Sequence, residues 1–230
     1  MKRGRLTRLF SLLIFLFPTI CFAGPVDGTW DLARLNTASE ADYLTDNEKA
    51  VVLEINKLRS DPAAYARDYL EPMLTKYQGR KLVLPGQIPI VTQEGAVALK
   101  DAISALNKAR PVPLLVPDNR LTLAARDHAR DQGKSGRTGH GGSDRSDPGA
   151  RICRYGRWTH AMGENIFYGD QDARSVVLHL VIDDGIPGRG HRNNFLNEHF
   201  KMVGVASASH PSWRNVCVID FAGGFDESKK

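Results

Sequence analysis

The order of the hydrophobic patterns along this chain limits its fold more than any other feature. Apolar residues at helical spacing dominate the first half, beginning with Val51, Ile55 and Leu58 at i, i+4 and i+7. Runs typical of strands come late, at 164–168 and in a hairpin near the end of the chain. A doubly wound fold would alternate the two kinds of element. This order therefore predicts an α+β fold, in which helical layers pack on a small sheet.

Capping residues and helix breakers set the bounds of these elements. Thr45 and Glu48 have the spacing of a capping box, and Asp61-Pro62 ends the first helix and can start a second. Proline and glycine residues between 71 and 95 interrupt any regular element, which predicts a long loop or insertion. The later predicted elements are a helix around 99–106, a helix opened by Asp118, a helix over 173–183, and a hairpin that pairs 202–207 with 214–222.

The N-terminal segment has the three parts of a secretory signal. Cations near the N-terminus precede an apolar stretch over 9–20, and the small residue Ala23 offers a cleavage position. The apolar stretch has 12 residues, whereas a membrane-spanning helix needs about 20. We therefore expect a cleaved signal peptide, no stable membrane span, and a secreted or periplasmic protein. Lipid attachment at Cys21 is the weaker alternative, because Pro18-Thr19-Ile20 lacks a small residue before it.

The expected organisation is one domain between short end segments. Of the formal net charge of +5, four positive charges belong to residues 1–23, which leaves +1 for the remaining 207 residues. This length suits one sizeable core, and the weak charge argues against nucleic acid as a partner. The expected division is a signal peptide at 1–23, a lead-in at 24–45, a domain at 46–225 with the insertion at about 71–95, and a tail at 226–230.

Cysteines and familiar catalytic motifs give the next constraints. Signal cleavage would leave Cys153 and Cys217. In an oxidising compartment this pair predicts one disulfide bond, and two separately buried thiols are the alternative. Oxidation would make Cys153 a poor catalytic thiol. Neither a Gly-x-Ser-x-Gly nucleophile elbow nor a His-Glu-x-x-His zinc helix occurs in the sequence.

Two glycine-rich loops each carry a histidine. His140 lies within 138–142 and His191 within 188–192. The neighbouring glycines let a ligand approach the imidazole closely. Two histidines with a carboxylate and an open position suit a divalent metal site or a general base. The alternative is that both are exposed loop residues or helix caps.

Two carboxylates stand beside these loops. Glu164 begins an apolar strand, where burial is costly without partners. It either enters a site or forms an ordinary salt bridge, for example to Arg157 or Arg192. Asp183 lies on the apolar face of the helix before His191, so it either enters the site or marks the helix end. A third histidine, His128, faces inward and is predicted to be a core residue, while His179 could replace Asp183 in its role.

Several motifs together carry a family resemblance. The chain resembles the CAP superfamily of cysteine-rich secretory proteins, antigen 5 and plant pathogenesis-related proteins, in its bacterial secreted form with an SCP domain, over about 46–225. It lacks the cysteine-rich tail of the animal secretory members. The motifs, in order, are Gly139-His140, Gly163-Glu164-Asn165-Ile166, Gly190-His191-Arg192-Asn193-Asn194, Val203-Gly204-Val205-Ala206 and Asp220-Phe221-Ala222.

The resemblance implies a three-layer α-β-α sandwich with a small central antiparallel sheet. It also implies a cleft in which His140 and His191 can hold zinc or another divalent metal, with Glu164 as the first acid. The second acid of the family is usually a glutamate on the helix before the second histidine. Asp183 takes that place here, with Asp184 and His179 as alternatives, and Glu164 and Asp183 are then the candidate catalytic residues.

Function is less constrained than fold, because one fold can serve several functions. The first expectation is a binding protein of the bacterial envelope or extracellular space, whose cleft holds a lipid, glycan or protein ligand. The second is a metal-dependent hydrolase, a peptidase or an esterase, that uses the same cleft. In that case a metal-bound water would lose its proton to Glu164 or Asp183.

Overall fold

The computed structural model describes residues 30–84, 88–169 and 172–226. The predicted signal peptide lies outside these residues, as do the first part of the lead-in and most of the tail. Within the described ranges, no helix combines the length and the apolar character that a bilayer crossing requires.

Eight α-helices and seven strands make up the described part of the chain, together with a π-helical turn at Ala66–Leu70 and a 3-10 helix at Glu71–Lys76. The α-helices are α1 Leu32–Leu35, α2 Asp46–Ser60, α3 Pro62–Tyr65, α4 Ala96–Lys108, α5 Asn119–Ser135, α6 Pro148–Ile152, α7 Ala173–Ile182 and α8 Gly190–Leu196. The strands are β1 Tyr77–Gln78, β2 Lys81–Leu82, β3 Ile90–Val91, β4 Val116–Pro117, β5 Arg157–Tyr168, β6 Met202–His210 and β7 Arg214–Asp226.

The central sheet has the strand order β4-β6-β7-β5. The three long strands are antiparallel, and only the short β4 runs parallel to its neighbour β6. Alternate residues of β7 point to opposite faces. Ile219 and Phe221 pack in a core with α2, α4 and α7, whereas Val218 and Ala222 pack beneath α5 and α6. The protein is therefore an α+β, three-layer α-β-α sandwich, as expected.

The first long helix is fixed by the capping box that the sequence predicts. Thr45 Oγ1 accepts from Glu48 N at 3.3 Å, and Thr45 N donates to Glu48 Oε2 at 2.8 Å. The second carboxylate oxygen of Glu48 accepts from Ser207 N at 2.9 Å. One residue thus caps α2 and ties it to β6.

The insertion contains more regular structure than its prolines and glycines predict. Its 3-10 helix carries Pro72 in the first turn, and Gly79 turns the chain between β1 and β2 with φ 62°. Strands β1, β2 and β3 then form a small antiparallel sheet. Pro72 lies at a helix start and Gly79 in a turn, where neither costs a ladder hydrogen bond. Strand β5 is also longer than predicted, because it begins at Arg157 and continues past a bulge between Thr159 and Met162.

The predicted disulfide between Cys153 and Cys217 is wrong, since both thiols are free. Cys217 is buried on the face of β7 that packs against α2 and α7. Cys153 is exposed and follows α6, which packs on the opposite face of the sheet. A disulfide requires Cα atoms within about 7 Å, and these two cysteines have a layer of the sandwich between them.

Candidate functional site

The first histidine of the predicted cleft is held by a buried carboxylate. His140 Nδ1 lies 2.7 Å from Glu164 Oε1, and Arg151 Nη2 donates to Glu164 Oε2 at 2.7 Å. The side chains of Glu164 and Arg151 are almost fully buried, while that of His140 is 51% exposed. The salt-bridge alternative for Glu164 named the wrong arginines, because its partner is Arg151 rather than Arg157 or Arg192.

The backbone of the loop that carries His140 is held by side chains from α5, α6 and β5. Helix α5 ends at Gly136, which adopts the left-handed conformation with φ 69°. Gly139 N then donates to Tyr168 Oη at 2.7 Å, and His128 Nε2 lies 2.9 Å from Gly139 O. Arg151 Nη1 donates to His140 O at 3.0 Å. His128 is fully buried, as predicted for a core residue. Its contact with Gly139 O also holds this loop against α5.

The imidazole of the second histidine, His191, is held by the carboxylate of Asp183. Asp183 ends α7 in the left-handed conformation with φ 56°, which Asp tolerates better than most residues. Its Oδ1 lies 2.6 Å from His191 Nδ1, and its Oδ2 accepts from His191 N at 3.0 Å. Asp183 is buried. Because α8 begins at Gly190, the aspartate also satisfies a free amide at the start of that helix.

The two alternatives to Asp183 are placed elsewhere. Asp184 accepts from Gln93 N at 2.6 Å and from Glu94 N at 2.8 Å, so it ties the end of α7 to the insertion. His179 packs its ring on Phe167 at a centroid distance of 5.5 Å, and burial lowers its pKa. Within the described structure, the side-chain partner of His191 is Asp183 rather than either alternative.

Strand β5 stands between the two pairs at the edge of the sheet. Glu164 faces the side of the sheet that α6 covers, through Arg151. The next residue, Asn165, points the other way and donates to His191 O at 3.0 Å. Asn194 Nδ2 in turn donates to Asn165 Oδ1 at 2.8 Å. Adjacent residues of one strand thus position the two histidines from opposite faces.

The electrostatics of the first pair keep its carboxylate charged. Burial by itself would raise the pKa of Glu164, but the hydrogen bond from His140 and the charge and hydrogen bond of Arg151 outweigh it, so the pKa is lowered. The carboxylate therefore accepts from His140, whose Nδ1 carries the proton. In the neutral imidazole, Nε2 is then an unprotonated acceptor.

The donor set suits a metal only in part. Glu164 and Asp183 each bind the Nδ1 of a histidine. Carboxylates in this arrangement orient the imidazoles of metal sites without contacting the metal. The two Nε2 atoms make no hydrogen bond among the residues described. In the same residues, no group of three or more His, Cys, Asp or Glu side chains is gathered closely enough to hold a metal ion. The imidazole Nε2 atoms thus remain available to a ligand, whereas the oxygens of Glu164 and Asp183 are already used.

An apolar cavity of about 240 Å³ lies beside the end of α7. It lies between α7, the π-helical turn and the insertion, and its lining includes Tyr69, Met73, Leu82, Leu84, Leu178 and Ile182. A second cavity of about 210 Å³ under the small sheet shares Leu82, His179 and Ile182 with the first. Ile182 directly precedes Asp183, so both cavities adjoin the end of α7 that holds His191.

Sequence reasoning missed three contributors to this region. Arg151 lies in a five-residue helix, which is too short to show which face is buried. Asp220, fully buried, pairs with Glu164 in the β5–β7 ladder, and its sequence context marked it only as part of a motif. The cavity depends on the insertion, which was expected to be irregular.

The sequence matches the profile of a known protein family. The profile of the cysteine-rich secretory protein family, CAP, matches residues 53–221. A search of curated proteins found no match. Among solved structures, an extracellular protein containing an SCP domain from Bacillus anthracis is 23% identical with a TM-score of 0.40, and the alignment covers 48% of this chain and 34% of that chain. An outer surface protein from Borrelia burgdorferi is 18% identical with a TM-score of 0.42, and the alignment covers 51% of this chain and 80% of that one.

The chain thus spans about a third of the length of the Bacillus protein. The family profile, in contrast, runs from within α2 to within β7 and includes both histidine loops. Because this match covers well over half of the chain, the protein belongs to the cysteine-rich secretory protein (CAP) family.

Proposed function

We propose that this protein is a secreted CAP-domain protein of the bacterial envelope or extracellular space that binds a lipid. The acyl chain would occupy the apolar cavity between α7 and the insertion, and the polar end would reach the cleft of His140 and His191. The cavity is the observation that carries this proposal. An extracellular location is supported by the signal-like N-terminal segment and by the two similar structures, which are described as an extracellular and an outer surface protein.

The chemistry of the cavity favours an acyl chain over a glycan. Apart from Arg174, Asp68, Ser175 and His179, its walls are formed by aliphatic and aromatic side chains. The guanidinium of Arg174 is already bound to Glu54, at 3.1 and 3.2 Å, and stacks on Tyr69. A sugar would leave its hydroxyl groups without partners here, which is costly. At about 240 Å³ the first cavity lies just below the range of about 300 to 1,000 Å³ that is typical of small-molecule sites.

The cleft supplies polar contacts for the other end of such a ligand. The exposed His140 and the half-buried His191 both have an Nε2 without a partner among the described residues. Carboxylates hold both rings in place. A hydroxyl group of the ligand can donate to such a nitrogen, and the fixed rings lose little entropy on binding.

Dodecanoate, displacing the fluorescent probe 1-anilinonaphthalene-8-sulfonate, tests the proposal directly. Met73→Trp should fill the first cavity and weaken dodecanoate binding by at least about tenfold. Val97→Trp is the matched control, because Val97 is 65% exposed and lies outside both cavities. Equal affinity in the wild type and the two variants would rule out the cavity as the site.

The double variant His140→Ala with His191→Ala tests the cleft separately. We expect weaker binding of a monoacylglycerol, which has hydroxyl groups, with a smaller effect on dodecanoate. If the affinities for all ligands stay the same, the cleft takes no part in binding and the cavity acts alone.

A hydrolase is the second candidate, and one observation favours it. In each pair a carboxylate holds the Nδ1–H of an imidazole, which is how a general-base histidine is oriented. A divalent ion, held by His140 and His191 through Nε2, would supply an acidic water when bound. Glu164 and Asp183 would then orient the imidazoles rather than bind the ion, because their oxygens are already used.

Two measurements separate the hydrolase from the binding protein. Calorimetric zinc titration near neutral pH should give binding that His140→Ala abolishes, if the imidazoles hold a metal. Peptide and ester libraries, assayed with and without a chelator, then show whether any turnover depends on that metal. Zinc binding that His140→Ala does not change would eliminate the metal-dependent mechanism.

A further inference from the structure

A buried acid stands behind the first histidine pair and has no place in the proposed function. Asp220 lies in the middle of β7 and is fully buried. Its direct partner across the ladder is Glu164 of β5. Side chains of directly opposed residues on one face of an antiparallel pair have Cβ atoms about 4.5 to 5.5 Å apart. Two carboxyl groups therefore share one buried face of the sheet.

Helix α5 seals this face from solvent. The residue opposite Asp220 on its other side is Gly204 of β6. A Cβ on Gly204 would lie 2.2 Å from the carbonyl carbon of Leu121 and 2.3 Å from Thr122 N, both in α5. The absence of a side chain at Gly204 thus lets the helix backbone rest on the sheet beside Asp220, which has no surface exposed to bulk solvent.

The ionised form of Asp220 has no hydrogen-bond donor within the described residues, because neither carboxyl oxygen accepts from any of them. Glu164 is nevertheless close enough to influence it. Burial, the charge of Glu164 and a side-chain hydrogen bond with Glu164 raise the pKa of Asp220 well above its usual range, against the opposing charge of Arg151. Two adjacent buried carboxyl groups cannot both ionise at low cost.

Glu164 is the member of the pair that stays charged. It accepts from His140 on Oε1 and from Arg151 on Oε2. A carboxylate has about four lone-pair sites, so a third donor can still be accepted. His128 of α5 also faces this region, and burial lowers its pKa, so it is neutral near pH 7 and does not compete as a cation. On the β6 side, the described neighbour of Asp220 is Gly204, which brings no ionisable group.

We infer that Asp220 is a positioning residue of the cleft: in its protonated form its carboxyl group donates a hydrogen bond to Glu164 across the ladder, and so fixes the carboxylate that holds His140. The proton donor is buried, and the ring that it positions is exposed. This inference rests on the proposed function only in taking His140 as a contact for the ligand.

Carboxyl ¹³C NMR of the ligand-free protein tests it. The Cγ resonance of Asp220 should keep the chemical shift of a protonated carboxyl group up to at least pH 7. Asp220→Asn retains a donor and should leave the titration midpoint of Glu164 close to that of the wild type. Asp220→Val removes the donor, and the midpoint of Glu164 should rise by about one pH unit. Ile219→Val, on the opposite face of β7, is the control for disturbing the strand.

The outcomes are distinct from those of the lipid experiments. An ionised Asp220 in the wild type at pH 6 would overturn the inference, even if Asp220→Val does not fold. So would an Asp220→Val protein in which the midpoint of Glu164 does not move. Because these measurements use no ligand, they can fail while dodecanoate binding persists, and the reverse can also occur.

Discussion

Asp183 binds His191 twice, once through the imidazole Nδ1 at 2.6 Å and once through the backbone amide at 3.0 Å. The residue achieves this because it ends α7 in the left-handed conformation, with φ 56°. One aspartate therefore ends α7, caps the start of α8 and orients the ring of His191. A glutamate here would carry an additional methylene group between the backbone turn and the carboxylate.

Asp183→Ala should lose both hydrogen bonds and place alanine in a strained conformation. We expect a loss of about 2 to 4 kcal/mol in the free energy of unfolding. Asp183→Asn keeps one acceptor and tolerates positive φ, so its loss should be less than half as large. Urea unfolding compares the three proteins. Equal losses in the two variants would mean that the hydrogen bonds to His191 contribute little.

Buried Arg151 gives the second prediction. It joins Glu164 to the carbonyl groups of His140 and Ser146. Arg151→Met would leave Glu164 charged, buried and without its arginine partner, which costs about 3 to 5 kcal/mol. The control is Arg154→Met, whose side chain is 40% exposed and pairs with surface aspartates, and whose loss should stay below about 1 kcal/mol. Thermal or urea unfolding that ranks the two variants equally would contradict this account.

The first half of the fold was largely predictable because its signals are local. The capping box of Thr45 and Glu48, and the helical spacing that begins at Val51, depend only on neighbours in sequence. Both are confirmed in α2. The hairpin was also predicted, and β6 and β7 extend further, to His210 and Asp226, because their ends are paired with each other and with β5.

The parts that were missed depend on which face of an element is covered. Two cysteines in an exported protein suggest a disulfide bond. The alternation of side chains along β7, however, directs Cys217 to the face of the sheet opposite α6. The same alternation directs Asp220 toward Glu164, and only the register of β5 against β7 reveals it. Strands of two residues, such as β1 and β2, have no periodicity from which they could be predicted.

The cysteines give a prediction that follows from this correction. Under native conditions, iodoacetamide should modify exposed Cys153 and spare Cys217, because burial raises the pKa of the Cys217 thiol to about 12. Cys217 should react only after unfolding. Mass spectrometry counts the labels, with unfolded protein as the control. If neither cysteine is labelled until a reductant is added, the two thiols are joined in a disulfide bond after all.

Gly204 gives a prediction about how α5 is seated. In Gly204→Ala the new Cβ would lie 2.2 Å from a backbone atom of α5, so the helix must lift from the sheet. We expect a loss of at least about 3 kcal/mol, or failure to fold. Gly141→Ala is the control, since a Cβ there meets nothing within 4 Å. Equal stability of the two variants in urea would show that α5 is not pressed on β6.

Asp220 also predicts how stability changes with pH. Its pKa is raised in the folded protein, so above about pH 4 the unfolded chain loses a proton that the folded chain keeps. The contribution of Asp220 to stability is therefore present below about pH 4 and is lost as the pH rises, at up to about 1.4 kcal/mol per pH unit. Asp220→Asn removes this loss and should gain stability relative to the wild type between about pH 4 and pH 7. Urea unfolding across that range measures the difference, with exposed Asp226→Asn as the control. If the free energy of unfolding changes with pH in the same way in the wild type and in Asp220→Asn, then Asp220 ionises normally in the folded protein. An ionised Asp220 has no proton with which to donate a hydrogen bond to Glu164.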